Sequence, residues 1–160
     1  MTDEGRWEDQ VLALDNQTCF ALYAANRAVT ALYRPLLAQL GLTYPQYLVM
    51  LVLWEAETSQ DMVKVSFLGR RLRLDTGTLT PLLKRLENQG LIWRRRDDGD
   101  ERVVRLGLTE DGRNLKAQAR TVPGQLLCSS GLEPGRLASL RDELRSLLEQ
   151  LEEGPSGESP

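Results

Sequence analysis

Residues 65–90 read VSFLGRRLRLDTGTLTPLLKRLENQG, a stretch that predicts two consecutive helices. The spacing of its apolar residues favours a short helix over 65–74 and a longer one over 75–90, for which Gly90 is a typical C-cap. Almost nothing is left between them to serve as a linker. Two helices joined so tightly are typical of a helix-turn-helix.

The next residues, 91–109, read LIWRRRDDGDERVVRLGLT and predict a basic β-hairpin. Two β-prone runs, 91–95 and 103–108, flank the polar turn DDGD. Together with the two helices, this hairpin predicts a winged helix-turn-helix, a mainly α fold with a small β element. The alternative is an ordinary α+β core that carries exposed arginines.

The second helix and the hairpin carry the side chains that we expect to contact double-stranded DNA. A helix fits the major groove, where short hydroxyl side chains can meet base edges or phosphates. Lysine and arginine neutralise phosphates nearby or in the adjoining minor groove. The candidates are Thr76, Thr78, Thr80, Lys84 and Arg85 on the helix and Arg94, Arg95, Arg96, Arg102 and Arg105 on the hairpin.

The distribution of charge supports this interpretation. Residues 64–105 carry 11 Lys and Arg against six Asp and Glu, a net charge of +5, although the whole chain has a net charge of −3. A local basic patch on an acidic protein can bind an anionic polymer, although it can also be an ordinary solvated face.

Pro81 conflicts with a regular second helix, because proline cannot donate a hydrogen bond to the carbonyl of Gly77. Either the helix tolerates a kink at Pro81, or regular helix begins at Thr80 and places Pro81 in the first turn. The sequence leaves both possibilities open.

Long apolar helices on either side of this segment predict a dimer. Residues 16–40 contain only two charged side chains and are apolar around most of the helical circumference, with Asp15 as the expected N-cap. Such a helix must be buried, and a second copy of the chain is its expected cover. The last predicted helix, 133–151, has leucines spaced as in a coiled-coil seam.

These patterns divide the chain into five segments. We expect a flexible N-terminus over 1–10, a helical dimerisation region made of 11–45 and 110–152, a winged helix-turn-helix over 46–109, and a disordered tail over 153–160.

Three runs of sequence resemble a known family. The run DGDERVVRLGLTEDG contains Asp100, Arg102, Leu108 and Thr109 at the spacing of the signature of the MarR family of winged-helix repressors. The runs LDTGTLTPLLKRLE (74–87) and LTYPQYLVML (42–51) are similar, more narrowly, to the organic hydroperoxide resistance regulators within that family.

The resemblance covers residues 12–125 and implies a homodimer that represses a peroxidase gene by binding operator DNA. The repressor is expected to release the operator when an organic hydroperoxide oxidises a cysteine near the start of the first helix, a position that Cys19 matches. Arg102 matches the DNA-contacting residue of the wing, and Asp100 matches the partner that orients it.

A sensing thiol needs thiolate character, and the family resemblance implies that the hydroxyls of Tyr33 and Tyr44 stabilise the Cys19 thiolate. Tyr33 lies 14 residues from Cys19, about 21 Å along a helix, so the two cannot touch within one chain. They can meet if two first helices cross antiparallel in a two-fold dimer. Tyr23 shares the helical face of Cys19 but is expected to pack in the core, and the blandest interpretation of Cys19 is also packing.

Cys128 is the other cysteine of the chain and is expected in a loosened stretch after Pro123 and Gly124. By analogy with the two-cysteine members of the family, we expect an intersubunit disulfide between Cys19 and Cys128 of the partner. The alternative is that Cys128 is inert and a small cellular thiol caps Cys19.

Two other classes of function remain alternatives. One is a MarR-type repressor that is released by a small phenolic or carboxylate ligand, with the cysteines incidental. The other is a thiol peroxidase, but no peroxidase pattern surrounds either cysteine. We therefore expect no enzyme.

Composition narrows the remaining possibilities. The chain has no histidine, which excludes Ser-His-Asp and Cys-His catalysis and removes the commonest metal ligand, and its two cysteines lack zinc-ligand spacing. No signal peptide or membrane helix is predicted. We expect a cytoplasmic protein with no membrane association and no metal or organic cofactor.

Overall fold

The computed structural model describes residues 10–59 and 62–154. The predicted flexible N-terminus lies outside these residues except for residue 10. The predicted disordered tail lies outside them except for residues 153 and 154. Of those two, Glu153 is the last residue of a helix rather than part of a tail.

The chain divides into two compact units between Val122 and Pro123, and each is described by itself. The first unit is mostly helical and contains a small antiparallel sheet, which confirms the predicted fold class. Its elements are α1 (Thr18–Ala38), α2 (Tyr44–Ser59), β1 (Val63–Lys64), α3 (Val65–Leu72), α4 (Thr76–Asn88), β2 (Ile92–Arg96), β3 (Val104–Leu108) and α5 (Glu110–Ala119).

The helix α1 begins two residues later than predicted. Asp15 is not its N-cap but lies in a 3-10 turn, Leu14–Asn16, and Gln17 occupies the cap position with an extended backbone. The side-chain amide of Gln17 donates hydrogen bonds to the carbonyls of Val11 and Ala13, at 2.6 and 3.3 Å. This side chain therefore closes the preceding turn, and the helix starts after it.

Most of α1 is exposed within a single chain, although its sequence predicted burial. Leu37 is the one residue of α1 that is buried, in a helix that lies entirely within the described part of the chain. Three of its large apolar side chains, Leu22, Tyr23 and Val29, are 39 %, 56 % and 40 % exposed. This apolar surface remains uncovered in the monomer.

Helices α3 and α4 form the predicted helix-turn-helix. α3 ends two residues earlier than expected, because Arg73 adopts the left-handed conformation with φ of 55° and the N–H of Leu74 donates to the carbonyl of Gly69 at 2.9 Å. Asp75 then caps α4 by accepting the N–H of Thr78 at 2.8 Å. The turn between the helices is therefore only three residues long.

α4 begins at Thr76 and continues through Pro81, so regular helix does not begin at Thr80. The missing N–H of Pro81 deprives the carbonyl of Gly77 of its helical donor. Gly77 is exposed, so this carbonyl is accessible to water.

The predicted hairpin is part of a three-stranded sheet with strand order β1-β3-β2. β2 and β3 pair antiparallel as expected, with Ile92 opposite Leu108. β1 was not predicted, since its two residues are too few for an alternating pattern; Val63 pairs with Leu106.

The end of the sheet and the start of α5 meet at Gly112. Thr109 caps α5 through its hydroxyl, which accepts the N–H of Gly112 at 3.1 Å and donates to the carbonyl of Gly90 at 2.6 Å. The indole of Trp54 donates to the carbonyl of Gly112 at 2.8 Å. A Cβ atom on Gly112 would lie 2.0 Å from the carbonyl oxygen of Leu91, so the contact requires glycine.

The second unit contains α7 (Pro134–Glu153), and α6 (Val122–Ser130) begins at the boundary between the units. Pro123 lies in the first turn of α6, where its missing N–H costs no helical bond, so it starts a helix instead of interrupting one. α7 confirms the last predicted helix, and its leucines at 140, 144, 147 and 151 are exposed. Among the described residues, no helix is both long and apolar enough to cross a membrane.

Candidate functional site

Helix α4 has one buried face and one exposed face. Its four leucines, Leu79, Leu82, Leu83 and Leu86, are buried in the core of the unit. The predicted DNA-contacting residues lie on the remaining surface and are all exposed: Thr76, Thr78, Thr80, Lys84 and Arg85. The helix is therefore anchored by its leucines and presents its polar side chains outward.

Two of the hydroxyls at the start of α4 already donate hydrogen bonds within the helix. Thr78 donates to Oδ2 of Asp75 at 3.0 Å, and Thr80 donates to the carbonyl of Thr76 at 2.8 Å. The pKa of Asp75 is lowered, first by the backbone and then by the side-chain hydrogen bond from Thr78. Each hydroxyl oxygen keeps a lone pair that can accept from a base amino group.

The five arginines of the hairpin fall into two groups. Arg95, Arg96 and Arg102 are exposed. Arg94 instead donates from Nε and Nη2 to Oε2 of Glu87, at 3.0 and 2.6 Å, and Arg105 pairs with Asp97. The paired arginines thus have their charge balanced within the protein, which the sequence did not reveal.

The loop of the wing is held by carboxylates that accept backbone hydrogen bonds. Asp100 accepts the N–H of Arg102 at 3.0 Å, so its contact with Arg102 is made through the backbone and not through the guanidinium. Asp97 accepts the N–H of Gly99 at 2.8 Å, and this bond, followed by the one from Arg105, lowers the pKa of Asp97. A cleft of about 650 Å³ lies beside the loop and is lined by Thr76 and Thr80 of α4 as well as by Arg102.

Cys19 is exposed and is the second residue of α1. The first helical hydrogen bond runs from the N–H of Ala21 to the carbonyl of Gln17, so the N–H groups of the residues before Ala21 are not used by the helix. A helix N-terminus of this kind favours negative charge. The later start of α1 brings Cys19 closer to that terminus than the sequence suggested.

Three tyrosines cluster where α1 ends and α2 begins. The ring centroids of Tyr33 and Tyr44 are 4.9 Å apart, and those of Tyr33 and Tyr47 are 5.9 Å apart. Burial, and then the neighbouring tyrosines, raises the pKa of Tyr33 to about 12, and burial also raises the pKa of Tyr44 and of Tyr47. All three phenols are therefore protonated at neutral pH and can donate hydrogen bonds.

The structure brings Tyr33 and Tyr44 together but leaves Cys19 apart from them. Cys19 and Tyr33 lie near opposite ends of the continuous helix α1. The sequence did not lead us to expect Tyr47 beside this pair. Tyr47 lies one turn after Tyr44 on α2, and this spacing, which places both tyrosines on one helical face, was the available signal.

Two further sequence expectations about these residues are wrong. Tyr23 does not pack in the core of its chain: it is 56 % exposed, and its hydroxyl accepts a hydrogen bond from Nη1 of Arg27 at 3.1 Å. Cys128 does not lie in a loosened stretch but is exposed on the regular helix α6. In the described part of the chain, no three potential metal-ligating side chains converge.

Comparison with known proteins identifies the relatives of the chain. The family model of the transcriptional regulators SarA/Rot matches residues 31–119. The organic hydroperoxide resistance transcriptional regulator of Bacillus subtilis is 50 % identical over 140 residues, which cover 88 % of this chain and 92 % of that protein.

Two solved structures of AbfR from Staphylococcus epidermidis are also similar to the chain. Reduced AbfR bound to DNA is 35 % identical with a TM-score of 0.69, and the match covers 90 % of this chain and 98 % of AbfR. Disulfide-formed AbfR is 34 % identical with a TM-score of 0.58 and the same coverage. The chain is thus similar to AbfR both in its DNA-bound structure and in its disulfide-formed structure.

Proposed function

Because the chain belongs to the MarR family of winged-helix transcriptional regulators, as a member of the organic hydroperoxide resistance type, we propose that it is a repressor that senses organic hydroperoxides through Cys19. Its relatives are transcriptional regulators, and it is a regulator rather than an enzyme. The proposed cycle is operator binding in the reduced state, oxidation of Cys19 in the cytoplasm, and release.

Operator binding is proposed to use α4 in the major groove and the wing beside it. The exposure of the polar face of α4, and the shared cleft between Arg102 and Thr76, support this arrangement. Arg95, Arg96 and Arg102 are the proposed phosphate or minor-groove contacts of the wing. The DNA-bound structures of AbfR show that a relative with this fold binds DNA.

The proposed repressor is a homodimer. The uncovered apolar surface of α1 and the exposed leucines of α7 each favour a partner helix, because large apolar side chains are more stable away from water. We assign 11–45 and 110–152 to the dimerisation region and 46–109 to DNA recognition. A two-fold dimer then contacts half-sites about 34 Å apart, one turn of DNA.

One observation carries the sensing proposal: Cys19 at the start of α1 and Tyr33 near its other end are 14 residues apart on one continuous helix, and the ring of Tyr44 packs beside Tyr33. Two such helices that cross antiparallel bring Cys19 of one chain to Tyr33 and Tyr44 of its partner. The two phenols donate hydrogen bonds that stabilise the thiolate.

The proposed oxidation is a displacement at oxygen. The Cys19 thiolate attacks one peroxide oxygen, the O–O bond breaks, and the alkoxide takes up a proton and leaves as an alcohol. The sulfur becomes a sulfenic acid. The Cys128 thiolate of the partner then attacks that sulfur, the S–S bond of an intersubunit disulfide forms, and the S–O bond breaks to release hydroxide, which takes up a proton to become water. Formation of a disulfide by AbfR supports this step, and capping by a small thiol is the alternative.

A DNA-binding titration tests the proposal. Fluorescence anisotropy of labelled DNA from upstream of the protein's own gene is measured with the reduced protein, after addition of cumene hydroperoxide, and after a dithiol reductant. We expect the reduced protein to bind the DNA tightly, the peroxide to abolish binding, and the reductant to restore it. If peroxide has no effect while a phenolic or carboxylate compound releases the DNA, the chain is a ligand-responsive repressor instead.

A further inference from the structure

Two glutamine side chains connect the start of α2 to the C-terminal end of α4. The N–H of Thr43 donates to Oε1 of Gln46 at 2.8 Å. Nε2 of Gln46 donates to Oε1 of Gln89 at 3.1 Å, and Nε2 of Gln89 donates to the carbonyl of Gly41 at 3.0 Å. We call these three hydrogen bonds the glutamine bridge.

The ends of the glutamine bridge fix the orientation of both amides. A backbone N–H can only donate, so the Thr43 end requires the oxygen of Gln46 and turns its nitrogen toward Gln89. A backbone carbonyl can only accept, so the Gly41 end requires the nitrogen of Gln89. Each amide therefore has one orientation that satisfies every bond, and a flip of either amide breaks two bonds.

Burial makes the bridge costly to break on the α2 side. Gln46 is 4 % exposed, the one buried side-chain amide of the described chain. A buried amide that loses its hydrogen-bond partner is destabilised by the full penalty of its desolvation. A displacement of Gln46 is therefore expected to preserve its hydrogen bond to Gln89 and to move Gln89 with it. Gln89, in contrast, is an exposed residue that caps the C-terminal end of α4.

The bridge begins beside the tyrosine cluster. Tyr44 is the first residue of α2, between Thr43 and Gln46, and its ring lies 4.9 Å from that of Tyr33. A displacement of Tyr44 therefore moves Thr43, the residue before α2, and Gln46 in the first turn of α2. Through Gln89 the same displacement reaches the helix that carries the DNA-contacting residues.

We infer that Gln46 and Gln89 are positioning residues that transmit the redox state of the sensor to the recognition helix α4. This inference rests on the function proposed above: oxidation removes the thiolate that Tyr44 of the other chain contacts, the first turn of α2 relaxes, and the bridge shifts the C-terminal end of α4. Oxidation of Cys19 in one chain thus acts on the recognition helix α4 of its partner.

The substitution Gln89→Glu tests the bridge with almost no change in shape. The introduced carboxylate can still accept from Nε2 of Gln46 but has no donor for the carbonyl of Gly41. The readout is the ratio of the operator Kd after oxidation by cumene hydroperoxide to the Kd before it, measured on the full-length protein. We expect this ratio to fall by at least about fivefold, the lower end of typical allosteric couplings, while the rate of sulfenic acid formation at Cys19 stays unchanged.

Two further variants separate this effect from charge and from shape. Asn88→Asp places the same charge at the same end of α4, so its affinity ratio should equal that of the wild type. Gln89→Leu removes both hydrogen bonds without adding charge, and its ratio should fall as far as that of Gln89→Glu. Because residue 89 is exposed, both Gln89 variants are expected to fold.

The outcomes are distinguishable. If both Gln89 variants keep the wild-type affinity ratio within twofold, the bridge does not transmit the signal. The same conclusion follows if Asn88→Asp lowers the ratio as much as Gln89→Glu does. In either case, release of the wild type by peroxide still supports the proposed function. If the wild type itself is not released by peroxide, the proposed function is wrong and the inference is overturned with it.

Discussion

The guanidinium of Arg94 on the wing strand β2 is held by the carboxylate of Glu87 on the recognition helix, through two hydrogen bonds of 3.0 and 2.6 Å. This ion pair connects the wing to α4. It also neutralises the charge of Arg94, which the sequence predicted to contact DNA. The arginines of the hairpin thus divide into those that support the fold and those that are available to phosphate. A DNA-binding measurement can distinguish the two groups.

Arg102→Ala should weaken operator binding and reduce the slope of log K against log salt by about 0.9, the contribution of one phosphate contact. Arg94→Ala should leave that slope unchanged, because its charge is already paired, and should cost less than about 1 kcal/mol of stability, as a partly exposed ion pair. Anisotropy titrations at several salt concentrations check both. Equal slopes for the two variants would remove Arg102 from the proposed interface.

Cys19→Ser should bind the operator with wild-type affinity and remain bound after cumene hydroperoxide, because a hydroxyl is not oxidised under these conditions. The same anisotropy assay measures this. Peroxide-induced release of the serine variant would show that another group senses the oxidant.

Cys128→Ser should still form a sulfenic acid at Cys19 but should give no disulfide-linked dimer on a non-reducing gel. The reason is that its side chain cannot condense with the sulfenic sulfur. A sulfenic-acid probe with mass spectrometry provides the positive control. A reducible dimer that persists in this variant would exclude Cys128 as the resolving residue.

Tyr33 makes the stability of the protein sensitive to alkali. Its pKa is about 12 in the folded protein and near 10 in the unfolded chain, so between these values the unfolded state loses its proton first and becomes favoured. The free energy of unfolding should therefore fall as the pH rises from 10 to 12. Urea unfolding at several pH values should show a smaller decline for Tyr33→Phe, and identical declines would contradict the burial of this phenol.

Gly112→Ala should destabilise the first unit by about 3 kcal/mol or more, because its Cβ would lie 2.0 Å from the carbonyl oxygen of Leu91 and backbone cannot easily yield. Gly124→Ala is the control, since a Cβ there meets nothing within 4 Å and alanine favours the helix. Thermal unfolding should show a lower Tm for the first variant alone. Similar Tm values for the two variants would mean that the backbone at Leu91 can adjust.

The local features of the fold were predictable from the sequence because each has a local cause. The leucine spacing of α4 and the polar turn of the hairpin both arise from residues close together in the chain. The start of α1 was misjudged because the side chain of Gln17 closes the preceding turn, a contact that the preference of Asp15 for helix caps does not reveal.

The features that the sequence did not reveal join distant residues. Gln46 and Gln89 are 43 positions apart, and β1 exists only because β3 pairs with it. The candidate sensor shows the same limit, because the proximity of Tyr47 to Tyr33 depends on how α1 and α2 pack. The spacing of Tyr44 and Tyr47 places both on one face of α2, but periodicity and capping rules do not tell which part of α1 packs against that face.

The length of α1 has a genetic consequence in the proposed dimer. A chain that has lost Cys19 still lends Tyr33 and Tyr44 to its neighbour, and a chain that has lost those phenols still contributes its sulfur. When two different defective alleles are expressed together, a mixed dimer regains one complete sensor. Because the two defective homodimers formed beside it stay bound to the operator after oxidation, this complementation between mutations within a single gene is expected as peroxide release of the purified mixed dimer.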